Sequence, residues 1–178
     1  MRNTNYNNGA CFRVGLLALL LSACKLDGSP EPVRANVDAT LLTQSSQCWN
    51  NAMAPSVAWI TSLEAYRSAY NQTRRHILGD ANPPPEVDFT HMGVIAVYMG
   101  QHSTAGYQLA LASKTAELSN DDELTLLVSW TEPQADTLLA QVITSPCILV
   151  SIPKHDYSVI RVVDEGHSVR ASSKLQDD

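Results

Sequence analysis

The run VIAVYM at residues 94–99, bracketed by Gly93 and Gly100, narrows the architecture of this chain more than any other stretch. Six consecutive apolar residues, rich in β-branched and aromatic types and closed by glycine at both ends, describe a strand apolar on both faces. Such a strand needs a covering layer on each side. One helix is available to supply a layer. Thr61 and Glu64 have the spacing of a capping box. Leu63, Tyr66, Tyr70 and Ile77 fall on one stripe, and Gly79 with the prolines at 83–85 stops the segment, so a covering helix is expected near residues 62–78.

Elsewhere the pattern has period two. Tyr107, Leu109 and Leu111 alternate with Gln108 and Ala110, and Leu124, Leu126, Val128 and Trp130 alternate with Thr125 and Ser129. The SNDD stretch at 119–122 makes a hairpin turn. Residues 39–47 and a short segment before Ile60 read as extended. Residues 138–143, 147–152 and 159–163 read as three more strands, punctuated by Ser145-Pro146 and Pro153. The GQHSTAG loop at 100–106 reads as a hairpin turn between two strands. Short turns and a single helix predict an α+β domain, predominantly antiparallel β, built as a sandwich or curled sheet. Its expected extent is 37–165, followed by a frayed polar tail at 166–178.

The first residues have a different logic. Arg2 and Arg13 flank a polar start without acids, and residues 14–23 (VGLLALLLSA) are apolar or small, the layout of a secretory signal. The run is shorter than the ~20 residues a bilayer span requires. Leu21-Ser22-Ala23-Cys24 resembles the bacterial lipobox. That resemblance implies cleavage before Cys24, acylation of Cys24 and a membrane partner through its acyl chains, which together anchor stably where one chain is marginal. Residues 24–36, rich in Gly, Ser, Pro and charge, then read as a lipidated flexible tether. Lys25 after the cysteine resembles the outer-membrane sorting pattern, which places the protein in the bacterial cell envelope.

Of the 12 basic residues two lie in the leader, which leaves ten against 18 acidic ones. An acidic domain without a basic stripe is not built for nucleic acid. With Cys24 acylated, Cys48 and Cys147 remain, either bridged in an oxidising compartment or as two buried thiols. No GxSxG elbow is present. His76, His91, His102, His155 and His167 show no i, i+4 pair and no CxxC occurs, so neither a metal nor another cofactor is expected. The acids at 121–123 read as a solvated turn. The GQHSTAG loop lacks the lysine of a phosphate-binding loop, and no small-molecule ligand is evident.

Five short matches then fall in order along the chain: Val87-Asp88-Phe89, the VIAVYMG strand at 94–100, the Thr104-x-Gly106-Tyr107 turn, Ile143-Thr144-Ser145-Pro146, and Ile152-Pro153-Lys154. Together they resemble the PrcB family of protease-complex subunit lipoproteins in its C-terminal domain, over about residues 87–155. Ser103 and Ala105 depart from the family's Pro-Thr-Gly-Gly-Tyr turn, and Cys147 stands where an aromatic is expected. The resemblance implies a non-catalytic envelope lipoprotein that binds or stabilises a partner protein, such as a secreted protease complex, with Thr104, Gly106 and Tyr107 as candidate contact loop. The same Thr-x-Gly-Tyr stretch is similar to the peptidase-plugging loop of chagasin-like inhibitors, which implies an alternative, peptidase inhibition through residues 101–107.

Overall fold

The apolar run forms β4 (Met92–Tyr98), an inner strand of a four-stranded antiparallel sheet ordered β2 (Thr40–Ser45), β8 (Cys147–Pro153), β4, β3 (Ser56–Ile60). The computed structural model describes residues 33–48, 52–74 and 83–175. The chain divides into two units, Met1–Pro30 and Glu31–Asp178, and the architecture is that of the second.

Both faces of β4 are covered, as its sequence demands. Ile95, Val97 and Met99 enter a core with Ile148, Val150 and Ile152 of β8, against the second sheet. Val94, Ala96 and Tyr98 turn the other way and join Leu149 and Cys147 beneath the helix α1 (Leu63–Arg74). The helix presents Tyr66, Ala69 and Tyr70 to them. Its N-cap is Ser62, whose Oγ accepts the Ala65 amide at 3.3 Å, one residue later than the expected box at Thr61. Ile77 and Gly79, which the expected helix and its stop include, lie outside the described residues.

The second sheet has six strands. β1 (Val33–Asp38), β6 (Thr115–Ser119), β7 (Glu123–Thr131), β9 (Val159–Asp164) and β10 (Val169–Lys174) lie in that order, and β5 (Gln108–Leu111) pairs with the far half of β7. The alternation read in β7 sends Leu124, Leu126 and Val128 inward, where Ile160, Val162, Leu109 and Leu118 meet them. Among the described residues the second unit is therefore an antiparallel-dominated β sandwich with one short covering helix. β7 and β9 are the parallel exception. β8, which lies between them in sequence, belongs to the other sheet, so the chain crosses over and returns in the same direction.

Four sequence expectations differ from the structure. The tether was expected to run to residue 36, yet β1 starts at Val33, because an edge strand paired to β6 needs few apolar side chains. The tail expected to fray forms β10: Ala171 is buried and the backbone pairs with β9. Residues 138–143 are not a strand, and the loop at 100–106 is not a hairpin turn. β4 and β5, which the loop joins, lie in different sheets.

The sandwich has two ends. At one, Val33 pairs with Ser119 next to the 119–122 turn, and the Ser158 amide donates to the Asp122 carbonyl at 3.0 Å. At the other, β4 and β7 finish and β5 and β8 begin. There Cys48 and Cys147 form a disulfide with Cα atoms 5.9 Å apart, both residues buried.

Buried tyrosines make the fold alkali-sensitive. Burial, and the neighbouring Tyr70, push Tyr66 up to about 12, and burial pushes Tyr157 up to about 12. An unfolded tyrosine ionises near ~10. The stability contributed by their neutral forms is complete below pH ~10 and is lost as pH rises through about 12. Denaturation curves at stepped alkaline pH should show this loss, shallower for Tyr66→Phe. Equal slopes for the two proteins would contradict it.

Candidate functional site

Two loops interlock at the end where β4 and β7 finish. The first, residues 99–107, starts at Gly100 with φ 89°, where a Cβ would lie 2.8 Å from the Met53 carbonyl oxygen. No other residue fits that approach. The second, residues 132–146, folds back onto the first. His102 and Thr144 exchange both backbone hydrogen bonds, at 2.8 and 2.9 Å, and the Ala105 amide donates to the Ala140 carbonyl at 3.0 Å. The Thr144 hydroxyl donates to the Thr104 carbonyl at 2.9 Å. These bonds satisfy the backbone that a sheet ladder would otherwise satisfy, so the apolar run at 138–143 holds an extended course without being a strand.

The candidate contact residues are thereby placed in supporting positions. Thr104 gives its carbonyl to Thr144. Gly106, with φ 99°, lies under Pro133 and Leu139, 3.1 and 3.4 Å from the Cβ it lacks. Tyr107 stacks on His102, the ring centroids 3.6 Å apart and 7° from parallel. His102 Nε2 is buried without a hydrogen-bond partner, and the imidazole is packed face to face on Tyr107. All three candidates are half-buried, while Gln101 and Ser103 alone in this loop are exposed. The exposed apolar side chains are instead Leu138, Val142 and Ile143, with Met53 beside Gly100. Sequence reasoning missed them because LLAQVI reads as strand. The available signal was the pair of prolines, Pro133 and Pro146, that bracket the segment, with no strict alternation between them.

Gly106 locks the two loops together, so Gly106→Val should both strain the backbone and push Pro133 and Leu139 away. A cost of about 1–3 kcal/mol is expected. Limited proteolysis should then cut within 132–146 faster than in the parent. An unchanged cleavage rate would show that the loops do not depend on this contact.

The other ionisable groups are engaged in holding turns. Asp164 accepts hydrogen bonds from the Gly166 and Ser168 amides and from Arg170 Nε, at 2.9, 2.9 and 2.7 Å. The Ser168 amide foremost, and Arg170 after it, hold its carboxyl below the usual carboxylate range. Arg170 also reaches Glu132 at 3.2 Å and lies over the Trp130 ring at 5.4 Å, tying β10 to the base of the long loop. Hydrogen bonds from His91 and then Thr90 lower Asp88 to about 2. The stability that both carboxylates contribute is complete above pH ~4 and is lost as pH falls through their folded values. Thermal melts between pH 5 and 2 should decline less steeply for Asp164→Asn. Parallel declines would rule out that contribution.

The acids of the 119–122 turn and β7 are not simply solvated, as the sequence suggested. Asp122 Oδ1 lies 2.9 Å from His155 Nε2, and Glu123 pairs with Arg161 at 2.9 Å. Among the described residues no group of three or more His, Cys, Asp or Glu side chains could hold a metal ion.

The fold and this end define a helix-backed β sandwich whose most distinctive surface is a clasped pair of loops. Residues 94–153 match the family model described as PrcB C-terminal. The matched stretch contains β4, both loops and β8, and it bears out the resemblance read from the sequence. No curated protein and no solved structure matched the chain.

Proposed function

We propose that the chain is a bacterial envelope lipoprotein, anchored through acylated Cys24 and sorted to the outer membrane, that acts as a non-catalytic, partner-binding subunit of a secreted protease complex. The observation that carries this reading is the PrcB C-terminal match, which spans both interlocked loops. The lipobox at 21–24 supports the anchor. The loop clasp supports binding: its backbone is held by cross-loop hydrogen bonds, so ordering it costs little when a partner arrives.

Peptidase inhibition through residues 101–107 gains no support from the geometry. A plug needs Thr104, Gly106 and Tyr107 at the tip, and the 132–146 loop lies against them.

Metabolic labelling with palmitate tests the anchor. Label in the parent and none in Cys24→Ala is expected, and equal labelling would reject it. Affinity capture from detergent extracts tests partner binding. Enrichment of one envelope or secreted protein over the Cys24→Ala control is expected, and capture of none counts against the reading.

A further inference from the structure

Leu138, Val142 and Ile143 stand in solvent along one stretch of the long loop, with Met53 72% exposed on the neighbouring segment beside Gly100. The other large exposed apolar residues, Leu41, Leu63 and Val169, are scattered over β2, α1 and β10. This concentration is not a loose loop avoiding the core. Leu139, next to Leu138, packs toward Gly106, and the bonds at Ala140 and Thr144 fix the backbone on either side of Val142 and Ile143. The chain therefore holds three branched side chains outward in a fixed order. Apolar groups displayed in this way mark an interaction surface.

Two observations decide the occupant. The first is charge. Residues 52–55, 99–107 and 131–146 contain no Lys or Arg, while Glu132 and Asp136 lie on the long loop. Glu132 is taken up by Arg170 and the Trp130 indole, which leaves the exposed Asp136 as the charge beside the apolar residues, a setting unsuited to anionic headgroups and complementary to a cationic side chain. The second is position. Val33 pairs with Ser119 at the end of β6, across the turn from the start of β7, and the long loop leaves from the end of β7. Nine residues of strand separate them, roughly 30 Å at about 3.3 Å per residue. Cys24 precedes Val33 by only eight intervening residues. The described chain therefore enters at one end of the domain, and the long loop lies at the other.

We propose that the exposed 138–143 ridge docks into an apolar groove bordered by Lys or Arg side chains on a partner protein, at the end of the domain opposite Val33. The inference rests on the partner-binding reading above and assigns its contact surface and the partner's chemistry.

Site-specific photo-crosslinking in the full-length, membrane-anchored protein tests it. p-Benzoyl-phenylalanine is placed in turn at Leu138, at Ile143, and at Asp121 in the opposite turn. Adducts with one heterologous protein are expected from 138 and 143 and not from 121, at a partner peptide with apolar residues and flanking Lys or Arg. With the probe at Val142, Leu138→Asp should reduce the adduct by about thirtyfold, as for loss of a hot-spot contact. Leu138 is fully exposed, so the melting temperature should stay unchanged and misfolding would not imitate the loss. Adducts only with lipid, only with a second copy of this chain, or undiminished by Leu138→Asp would overturn the proposal. A heterologous adduct from 121 alone would overturn the ridge while leaving partner binding intact. Absence of any protein adduct from all three positions would overturn both.

Discussion

Replacing Cys48 and Cys147 together by alanine should lower the stability of the domain by about 2–5 kcal/mol. The bridge joins residues 99 apart in sequence, so it removes a large loop from the unfolded ensemble. It also fastens the end of the sandwich that carries the clasped loops. The Cys48 amide donates to the Ser145 carbonyl at 2.7 Å, and the Ser145 amide to the Ser46 carbonyl at 2.9 Å. Losing the bridge should therefore loosen residues 144–146 and the Thr144–His102 pair beside them. Denaturant titrations of the oxidised parent and the double variant measure the effect. Coincident midpoints would mean that the surrounding hydrogen bonds hold this end unaided.

Tyr66→Ala should cost about 3–5 kcal/mol, as for other large buried aromatics. Its side chain is fully buried between α1 and the four-stranded sheet and packs on Phe89 with ring centroids 5.7 Å apart. Its hydroxyl donates to the Pro85 carbonyl at 3.0 Å, fastening the segment that leads into β4. Truncation leaves a cavity under the helix and frees that segment. Tyr66→Phe keeps the packing and loses one hydrogen bond, worth about 0.5–1.5 kcal/mol. A near-neutral Tyr66→Ala would mean that the helix contributes little to covering β4.

The sandwich was legible wherever side-chain pattern and burial coincide. The 94–99 run and the alternation of Leu124, Leu126 and Val128 both led to the right faces because those strands bury their apolar sides. β1 and β10 were not legible in this way. They are edge strands held by backbone pairing, and Arg170, Ser172 and Lys174 resemble a solvated tail. The disulfide left two readings open, since composition says nothing about Cα separation. At the candidate site, the Thr104-x-Gly106-Tyr107 motif lies in the layer that supports the long loop. The residues that face outward lie in a run whose apolar character suggested burial. Only the cross-loop bonds at Ala105 and His102 show that its backbone is satisfied elsewhere.

The strand order also governs when this domain can fold as it is made. β1 has to wait for β6, which ends at Ser119, and β2 for β8, which ends at Pro153. β10, the last strand, closes the edge beside β9. Long-range pairing of this kind makes folding slow, because a large loop must close before any contact rewards it. Until β8 is made, the β3–β4, β5–β7, β6–β7 and β1–β6 pairs can form, but β2 has no partner and β4 lacks one of its two neighbours. A chain stopped at residue 146 would lack β8, β9 and β10 and should give no folded core, detectable as complete protease sensitivity.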